Sequence, residues 1–244
     1  MILLALKMGI RSSTVRKVTE IIRKVCNPLV RDFHEIQRLQ GSPNLGTFFQ
    51  EAYSKVGSRL ERDLRDYNIA TGSQYKIVIF PVDGKENFLR GIPEFTVSVL
   101  LKKGDEPVIC VIEAPLSYTT FYAERSYGAY LEDLGGIVRL KIKTFTDIGN
   151  TVALLNYPEN QFSFRECRLL GCDSLSAAYL ASGRADALLL NTEIVNPNML
   201  LLVRLIASES SARELKFHRN SLFGHFGLCE RLEPTIPRMN ISGV

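Results

Sequence analysis

A single acid, Asp83, lies between the apolar run IVIFPV and the polar run Gly-Lys-Glu-Asn. The apolar, β-branched residues before it predict a buried strand that ends near Pro81, and residues 85–88 are predicted to begin a short helix. A carboxylate at a strand end, beside a glycine that frees backbone amides, can hold a cation and a phosphate together. The alternative is that Asp83 caps a turn or a helix, as the acid of an Asp-Gly pair often does.

Composition places few limits on this chemistry. The chain has 244 residues, of which 45% are hydrophobic and 23% charged, as in an ordinary soluble globular protein. Its formal net charge of +4 permits contact with nucleic acid or another polyanion but does not require it. The basic runs RKVTEIIRKV and RLERDLRDY are mixed with acids, which is typical of solvated helix faces.

Cysteine usage and hydropathy indicate a reducing compartment and no membrane segment. The five cysteines are odd in number, show no CxxC spacing and are accompanied by only three histidines, so they form a poor zinc set. We expect buried, reduced thiols. The N-terminus has no basic leader and no apolar run reaches the length of a membrane span, which predicts a cytoplasmic protein.

Two helices precede a sheet in the predicted order of elements. Apolar residues recur every three or four positions over 13–39, which predicts a long amphipathic helix with a kink at Pro28, and a second helix is predicted at about 49–67. Short β-branched and aromatic runs over about 75–143 predict an antiparallel sheet. The C-terminal α/β part, about 150–232, is predicted to hold helices at 173–182 and 198–210, a strand at RADALLL between them, and a final strand at about 226–232. We predict one α+β domain over 1–244.

The segment around Asp83 resembles the inositol monophosphatase family, whose motif is Asp-Pro-Ile/Leu-Asp-Gly-Thr-x-Asn-Phe followed by a Pro-Phe-x-Val-Ser-Ile strand. The matching residues are Pro81, Asp83, Gly84, Asn87 and Phe88. Downstream, RLLGCDSLSAAYLASGRADALL resembles a second family stretch, with matches at Arg168, Gly171, Ala178, Gly183, Arg184 and Asp186. The resemblance covers roughly 13–230 and implies the layered αβαβα sugar-phosphatase fold in a divergent, bacterial-type member.

The same resemblance implies a carboxylate cage for magnesium, which activates water for attack on a phosphate monoester. This chain departs from that pattern at each of the family's other acidic positions, where it has Phe80, Thr71, Gly72, Gln50 and either Asn196 or Asn198. Asp83 and the backbone carbonyl of Val82 remain as candidate metal ligands. Because magnesium requires several oxygen ligands, we predict weak binding or none.

Lys85 stands where the family has a threonine beside the catalytic centre. One hypothesis is that its ammonium pairs with Asp83, fills the vacated metal volume and, with the amide of Gly84, holds an anion. The other is that Lys85 is an exposed surface cation. Three further acids, Glu113, Glu124 and Asp133, are predicted to be ordinary surface charges.

Three functions follow from these residues and the resemblance. The first is a binding or regulatory protein with lost or much reduced phosphatase activity; the resemblance allows a place in a transcription antitermination complex, because some bacterial members act there. The second is a surviving magnesium-dependent phosphomonoesterase acting on inositol phosphate or a related small ester, with Asn196 or Glu86 recruited to the metal. The third is a sensor of small anions that uses Gly84 and Lys85. The resemblance also implies a homodimer.

Overall fold

The computed structural model describes residues 12–67, 69, 75–158 and 162–236. Two long helices come first, α1 at Ser13–Arg38 and α2 at Leu45–Asp66. Helix α1 begins where the Ser12 hydroxyl accepts a hydrogen bond from the Val15 amide, and it continues through Pro28. Its apolar stripe is buried, as the spacing of three and four predicts.

A six-stranded sheet follows, in the spatial order β1-β2-β3-β4-β5-β6 with every pair antiparallel. This order is a meander because each strand returns beside its predecessor through a short connection. A short helix, α3 at Lys85–Leu89, interrupts the connection between the first two strands. The strands are β1 at Tyr75–Asp83, β2 at Thr96–Lys103, β3 at Glu106–Ala114, β4 at Thr119–Glu124, β5 at Gly128–Asp133 and β6 at Gly136–Arg139.

The C-terminal part contains a second, mixed sheet of five strands in the order β10-β11-β9-β7-β8. Strand β7 is parallel to both β8 and β9, whereas β11 is antiparallel to β9 and β10. The strands are β7 at Val152–Leu155, β8 at Glu166–Leu169, β9 at Ala187–Asn191, β10 at Arg213–Phe217 and β11 at Asn220–Gly224. The helices of this part are α4 at Asp173–Ala181, α5 at Pro197–Glu209 and α6 at Phe226–Leu232.

Within the described ranges, three apolar cores lie between these elements and separate five layers. The first core joins α1 and α2 to one face of the six-stranded sheet. The second fills the space between that sheet's other face, α4, α5 and the second sheet. The third packs the far face of the second sheet against α6. The observed α+β αβαβα layering confirms the predicted fold class.

One predicted element of secondary structure is wrong, and one begins at a different residue. Residues 226–232 form a helix and not the predicted strand, because His225 Nδ1 accepts the Gly227 amide at the start of the helix, and Leu228, Cys229 and Leu232 face the third core. A short run of this kind has no decisive period. Helix α2 also begins four residues earlier than predicted, at Leu45.

The thiols and the acids of the first sheet show where burial was misjudged. Four cysteines are buried and free, as expected, but Cys167 is exposed. Asp133 is exposed and Glu124 half-buried, but the prediction that Glu113 is a surface charge is wrong, since that residue is only 5% exposed. Glu113 faces α1, and its carboxylate lies 3.8 Å from the guanidinium of Arg23 on that helix. The same carboxylate accepts the hydroxyl of Thr120, on the neighbouring strand β4, at 2.5 Å.

Burial is the main cause of an altered protonation equilibrium at Glu113. It raises the pKa of this carboxyl from 4.5 to about 7, against the opposing effects of the Thr120 hydrogen bond and the Arg23 charge. Glu132, whose carboxylate accepts an Arg23 N–H at 3.1 Å, adds a smaller upward effect. A titratable group therefore lies within the first core, between helix α1 and the sheet.

Candidate functional site around Asp83

The backbone that presents Asp83 is irregular for a physical reason. Pairing of β1 with β2 shifts register between Phe80 and Asp83, where Pro81 has no amide hydrogen to donate to the ladder. Gly84 then turns the chain with φ +85°. A Cβ at Gly84 would lie 2.7 Å from the Glu94 carbonyl oxygen, so only glycine fits this turn.

Two matched family residues hold this turn in place. Phe88 is fully buried, and its ring centroid lies 4.8 Å from that of Phe95 and 5.6 Å from that of Phe33 on α1. The Asn87 side-chain amide donates to the carbonyls of Glu94 at 2.7 Å and Leu170 at 2.6 Å. The turn after β1 is therefore connected to the first core and to the segment that leads into α4.

The carboxylate of Asp83 accepts hydrogen bonds from residues at the start of α4. Its Oδ2 atom accepts the Ser174 amide at 2.8 Å, the Ser174 hydroxyl at 2.5 Å and the Cys172 thiol at 3.3 Å. Burial, with a further contribution from Asp83, raises the pKa of the Cys172 thiol well above its usual range, so the thiol keeps its proton for this bond. Asp83 thus caps a helix, as one of the two interpretations of the sequence held, but the helix is the distant α4.

A second acid, Asp173, lies close enough to Asp83 to be affected by its charge. Burial, and then the neighbouring Asp83 carboxylate, raises the pKa of Asp173 to about 7, while a hydrogen bond from the Asn156 side chain acts in the opposite direction. Asn156 is itself fixed, since its Oδ1 accepts the Asn191 amide at 2.8 Å. Sequence reasoning missed Asp173; its signal was an acid at the start of a predicted helix, within a segment already matched to the family.

The other residues at family ligand positions are placed apart from this pair or are engaged elsewhere. Phe80 is half-buried and packs against the second core, and Gln50 is exposed on α2. The Asn196 Oδ1 accepts the Asn198 and Met199 amides at the start of α5. The Asn198 Oδ1 accepts the Lys102 ammonium at 3.1 Å. Thr71 and Gly72 lie outside the described residues.

Of the two hypotheses for Lys85, the structure agrees with the exposed surface cation and not with the ion pair to Asp83. Lys85 is exposed, and its ammonium lies 5.6 Å from the Phe49 ring centroid; across the described ranges it makes no salt bridge with Asp83. Glu86, the other acid of this turn, is exposed in the first turn of α3. Val82, whose carbonyl was a candidate ligand, is buried at the end of β1.

Magnesium, which membership of the family would imply, does not fit this donor set. One carboxylate oxygen of Asp83 is already an acceptor for three donors, and an aromatic ring replaces the neighbouring acid. In the part of the chain that the structure describes, no three acidic, histidine or cysteine side chains converge as a metal site would require. Among the described residues, the oxygens left for a metal come from Asp83, Asp173 and the Val82 carbonyl, and these are few for a hard cation that requires six oxygen ligands.

The five-layered arrangement, with an Asp-Gly turn at the end of its first strand, defines the sugar-phosphatase class of fold. The model of the inositol monophosphatase family matches residues 46–195, more than half of the chain, and the protein therefore belongs to that family.

Curated relatives agree with this assignment, and a solved structure agrees with the fold. The chain is 29% identical to the inositol-1-monophosphatase of Rhizobium meliloti, over 72% of its own length and 76% of that protein. It is 28% identical to the fructose-1,6-bisphosphatase of Pyrococcus furiosus over 57% and 55%, and 31% identical to the Nus factor SuhB of Xylella fastidiosa over 45% and 44%. The match thus spans only about half of the latter two. The crystal structure of the extragenic suppressor protein SuhB from Bartonella henselae has a TM-score of 0.76 at 21% identity, covering 92% of this chain and 98% of that one.

Proposed function

We propose that this protein is a divergent inositol monophosphatase family member that has lost most magnesium-dependent phosphatase activity and acts by binding. The observation that carries the proposal is the bonding of Asp83, whose Oδ2 accepts three hydrogen bonds at the start of α4. Phe80 and the two asparagines near α5 add to the argument because they replace acids with an aromatic ring and with amides that are already bonded.

A turnover assay tests the loss of activity. The full chain is expected to hydrolyse inositol 1-phosphate and a generic phosphate ester no faster with magnesium than with EDTA, because water activation in this chemistry depends on the metal. The Rhizobium meliloti inositol-1-monophosphatase serves as the positive control. Magnesium-stimulated turnover that disappears in Asp83→Asn would contradict the proposal.

The binding role that we propose is in the cytoplasm, beside the transcription machinery, in an antitermination complex. Support comes from the relatives named Nus factor SuhB, which are about 30% identical over nearly half of this chain. No helix within the described ranges combines the length and apolar character that crossing a bilayer requires. Affinity purification from the native cells should recover RNA polymerase with the protein, and its absence from the purified complex would remove this role.

We also propose a homodimer. Light scattering of the purified protein should give twice the chain mass, and a mass equal to one chain would remove the dimer.

The second candidate is a surviving magnesium-dependent phosphomonoesterase with altered ligands. One observation favours it: Asp173 lies close to Asp83 and supplies a carboxylate that the family motif does not include. This candidate predicts turnover that requires magnesium and that falls in both Asp83→Ala and Asp173→Asn. The same assay with these two variants therefore decides between the candidates.

A further inference from the structure

A large open cavity lies at the end of the first sheet opposite to Asp83. Its volume is about 1060 Å³, and it is bounded by the start of α1, the start of β1 and the turn between β4 and β5. Tyr75, which lines it, and Asp83 are the first and last residues of β1, about 26 Å apart at the usual rise of a strand. The cavity is thus separate from the site described above. Small-molecule sites have volumes of about 300–1,000 Å³, so a nucleotide fits within it.

Three tyrosines give this cavity aromatic walls that are open to solvent. Tyr127 is 65% exposed, and Tyr67 and Tyr75 are partly exposed as well. Cations lie over two of these rings, Lys17 at 3.8 Å from the Tyr67 centroid and Lys103 at 5.9 Å from the Tyr75 centroid. The Tyr127 ring is largely exposed and makes no aromatic or cation contact with any other described residue, so a ligand base does not have to displace such a partner in order to stack on it.

The turn that carries Tyr127 is held firmly. The two carboxylate oxygens of Glu209 accept the amides of Ser126 and Gly128, each at 2.8 Å, and the Tyr127 carbonyl accepts the Tyr130 hydroxyl at 3.0 Å. An aromatic platform fixed in this way loses little conformational entropy when a ligand stacks on it.

Positive charge and the start of a helix lie beside the tyrosines. Ser12, Ser13 and Thr14 line the cavity at the start of α1, a 26-residue helix with no acid in its first turn, so its positive end faces the cavity. Arg16 and Arg125 line it too, and Arg125 is paired with Glu106.

The net charge of the lining limits the ligand. Among the described lining residues, three cations (Arg16, Lys17 and Arg125) and two acids (Glu20 and Glu124) are present; Lys17 is paired with Glu20 at 3.3 Å and Arg125 with Glu106, whereas Arg16 makes no salt bridge with a described acid. One such cation, together with a helix end, suits a single phosphate group better than a dense polyanion.

We propose that this cavity binds a nucleoside phosphate, with its base stacked on Tyr127 and its phosphate at the start of α1 beside Arg16. The shared chemistry is that of a free nucleotide or of one nucleotide within single-stranded RNA. The inference does not rest on the proposed loss of catalysis, because no residue of the Asp83 site lines the cavity.

The test is fluorescence anisotropy of a labelled five-nucleotide RNA on the full chain, in EDTA to exclude metal-bridged binding at Asp83. Competition with AMP, adenosine and inorganic phosphate follows. Tyr127→Ala is expected to weaken binding about fivefold or more, the lower bound for one stacked base. Arg16→Ala is expected to weaken it as well, because it removes a positive charge beside the phosphate. The matched controls are Tyr118→Ala and Arg31→Ala, which should bind as the wild type does. Tyr118 is 64% exposed, the side chain of Arg31 is 83% exposed, and neither residue lines the cavity.

Each outcome has a defined meaning. Competition by AMP supports the site and identifies a free nucleotide as a ligand, whereas RNA binding that AMP does not displace but that Tyr127→Ala weakens supports a site for a strand. No binding of RNA or AMP, equal binding by Tyr127→Ala and Tyr118→Ala, or inorganic phosphate competing as well as AMP would overturn the proposal. Thermal melts of all four variants verify that each is folded.

Discussion

Asp83→Ala is expected to lower the free energy of unfolding by about 2–4 kcal/mol, and this would be among the largest effects of any substitution outside the apolar cores. The change removes the bond to the Ser174 amide that caps α4, worth about 0.5–2 kcal/mol, and takes the Asp83 acceptor from the Ser174 hydroxyl, at about 1–3 kcal/mol. The measurement is chemical denaturation followed by circular dichroism.

Two controls separate this structural role from a catalytic one. Asp83→Asn keeps a side-chain oxygen that can accept from Ser174, and it is expected to lose only about 1 kcal/mol. Gln50→Ala removes an exposed side chain at another family ligand position and should change stability by no more than about 0.5 kcal/mol. If Asp83→Ala were as stable as Gln50→Ala, Asp83 would not be a structural cap, and the main support for lost catalysis would be gone.

The stability of the protein is expected to fall as the pH rises from about 4.5 to 7, and Glu113 is one main cause. Its pKa in the folded protein is about 7, against 4.5 ordinarily, so the folded state holds a proton that the unfolded state releases. The contribution is fully present below pH 4.5 and is lost as the pH passes 7. A difference of this size corresponds to about 3 kcal/mol.

Glu113→Gln tests this prediction because glutamine keeps the size of the side chain and cannot ionise. Near pH 8 the variant should be more stable than the wild type, and its free energy of unfolding should depend less on pH between 5 and 7. Asp173, whose pKa is also raised to about 7, acts in the same direction, and Asp173→Asn should flatten the remaining slope. An unchanged pH profile in the double variant would show that neither carboxyl titrates as described.

The sequence predicted the α+β layered fold because its apolar and β-branched residues follow a regular spacing over long segments. The apolar spacing of α1 and the β-branched runs of the first sheet each involve many side chains, so single ambiguous positions matter little. The strand predicted at residues 226–232 was wrong for the opposite reason, because seven residues make less than two helical turns and show no clear spacing.

The local motif predicted where Asp83 lies along the chain but not what it contacts. Its place at the end of a strand, before a short helix that begins at Lys85, followed from the local pattern, whereas the left-handed turn at Gly84 and the burial of Phe88 came from the structure. The helix that Asp83 caps begins some 90 residues later in the chain, and a partner so distant leaves no local period. Burial of Glu113 was missed for a related reason, because its face of β3 is covered by α1, and a strand's alternation does not say which face a distant helix covers.

Calorimetric titration of the full chain with magnesium, followed by inositol phosphate, tests the central account most directly. If Asp83 is occupied as a helix cap and the family's other acids are absent, the wild type and Asp83→Asn should both show no saturable heat of magnesium binding. Saturable binding in the wild type that is lost in both Asp83→Asn and Asp173→Asn would contradict the account and would identify the two carboxylates as ligands of a working metal site.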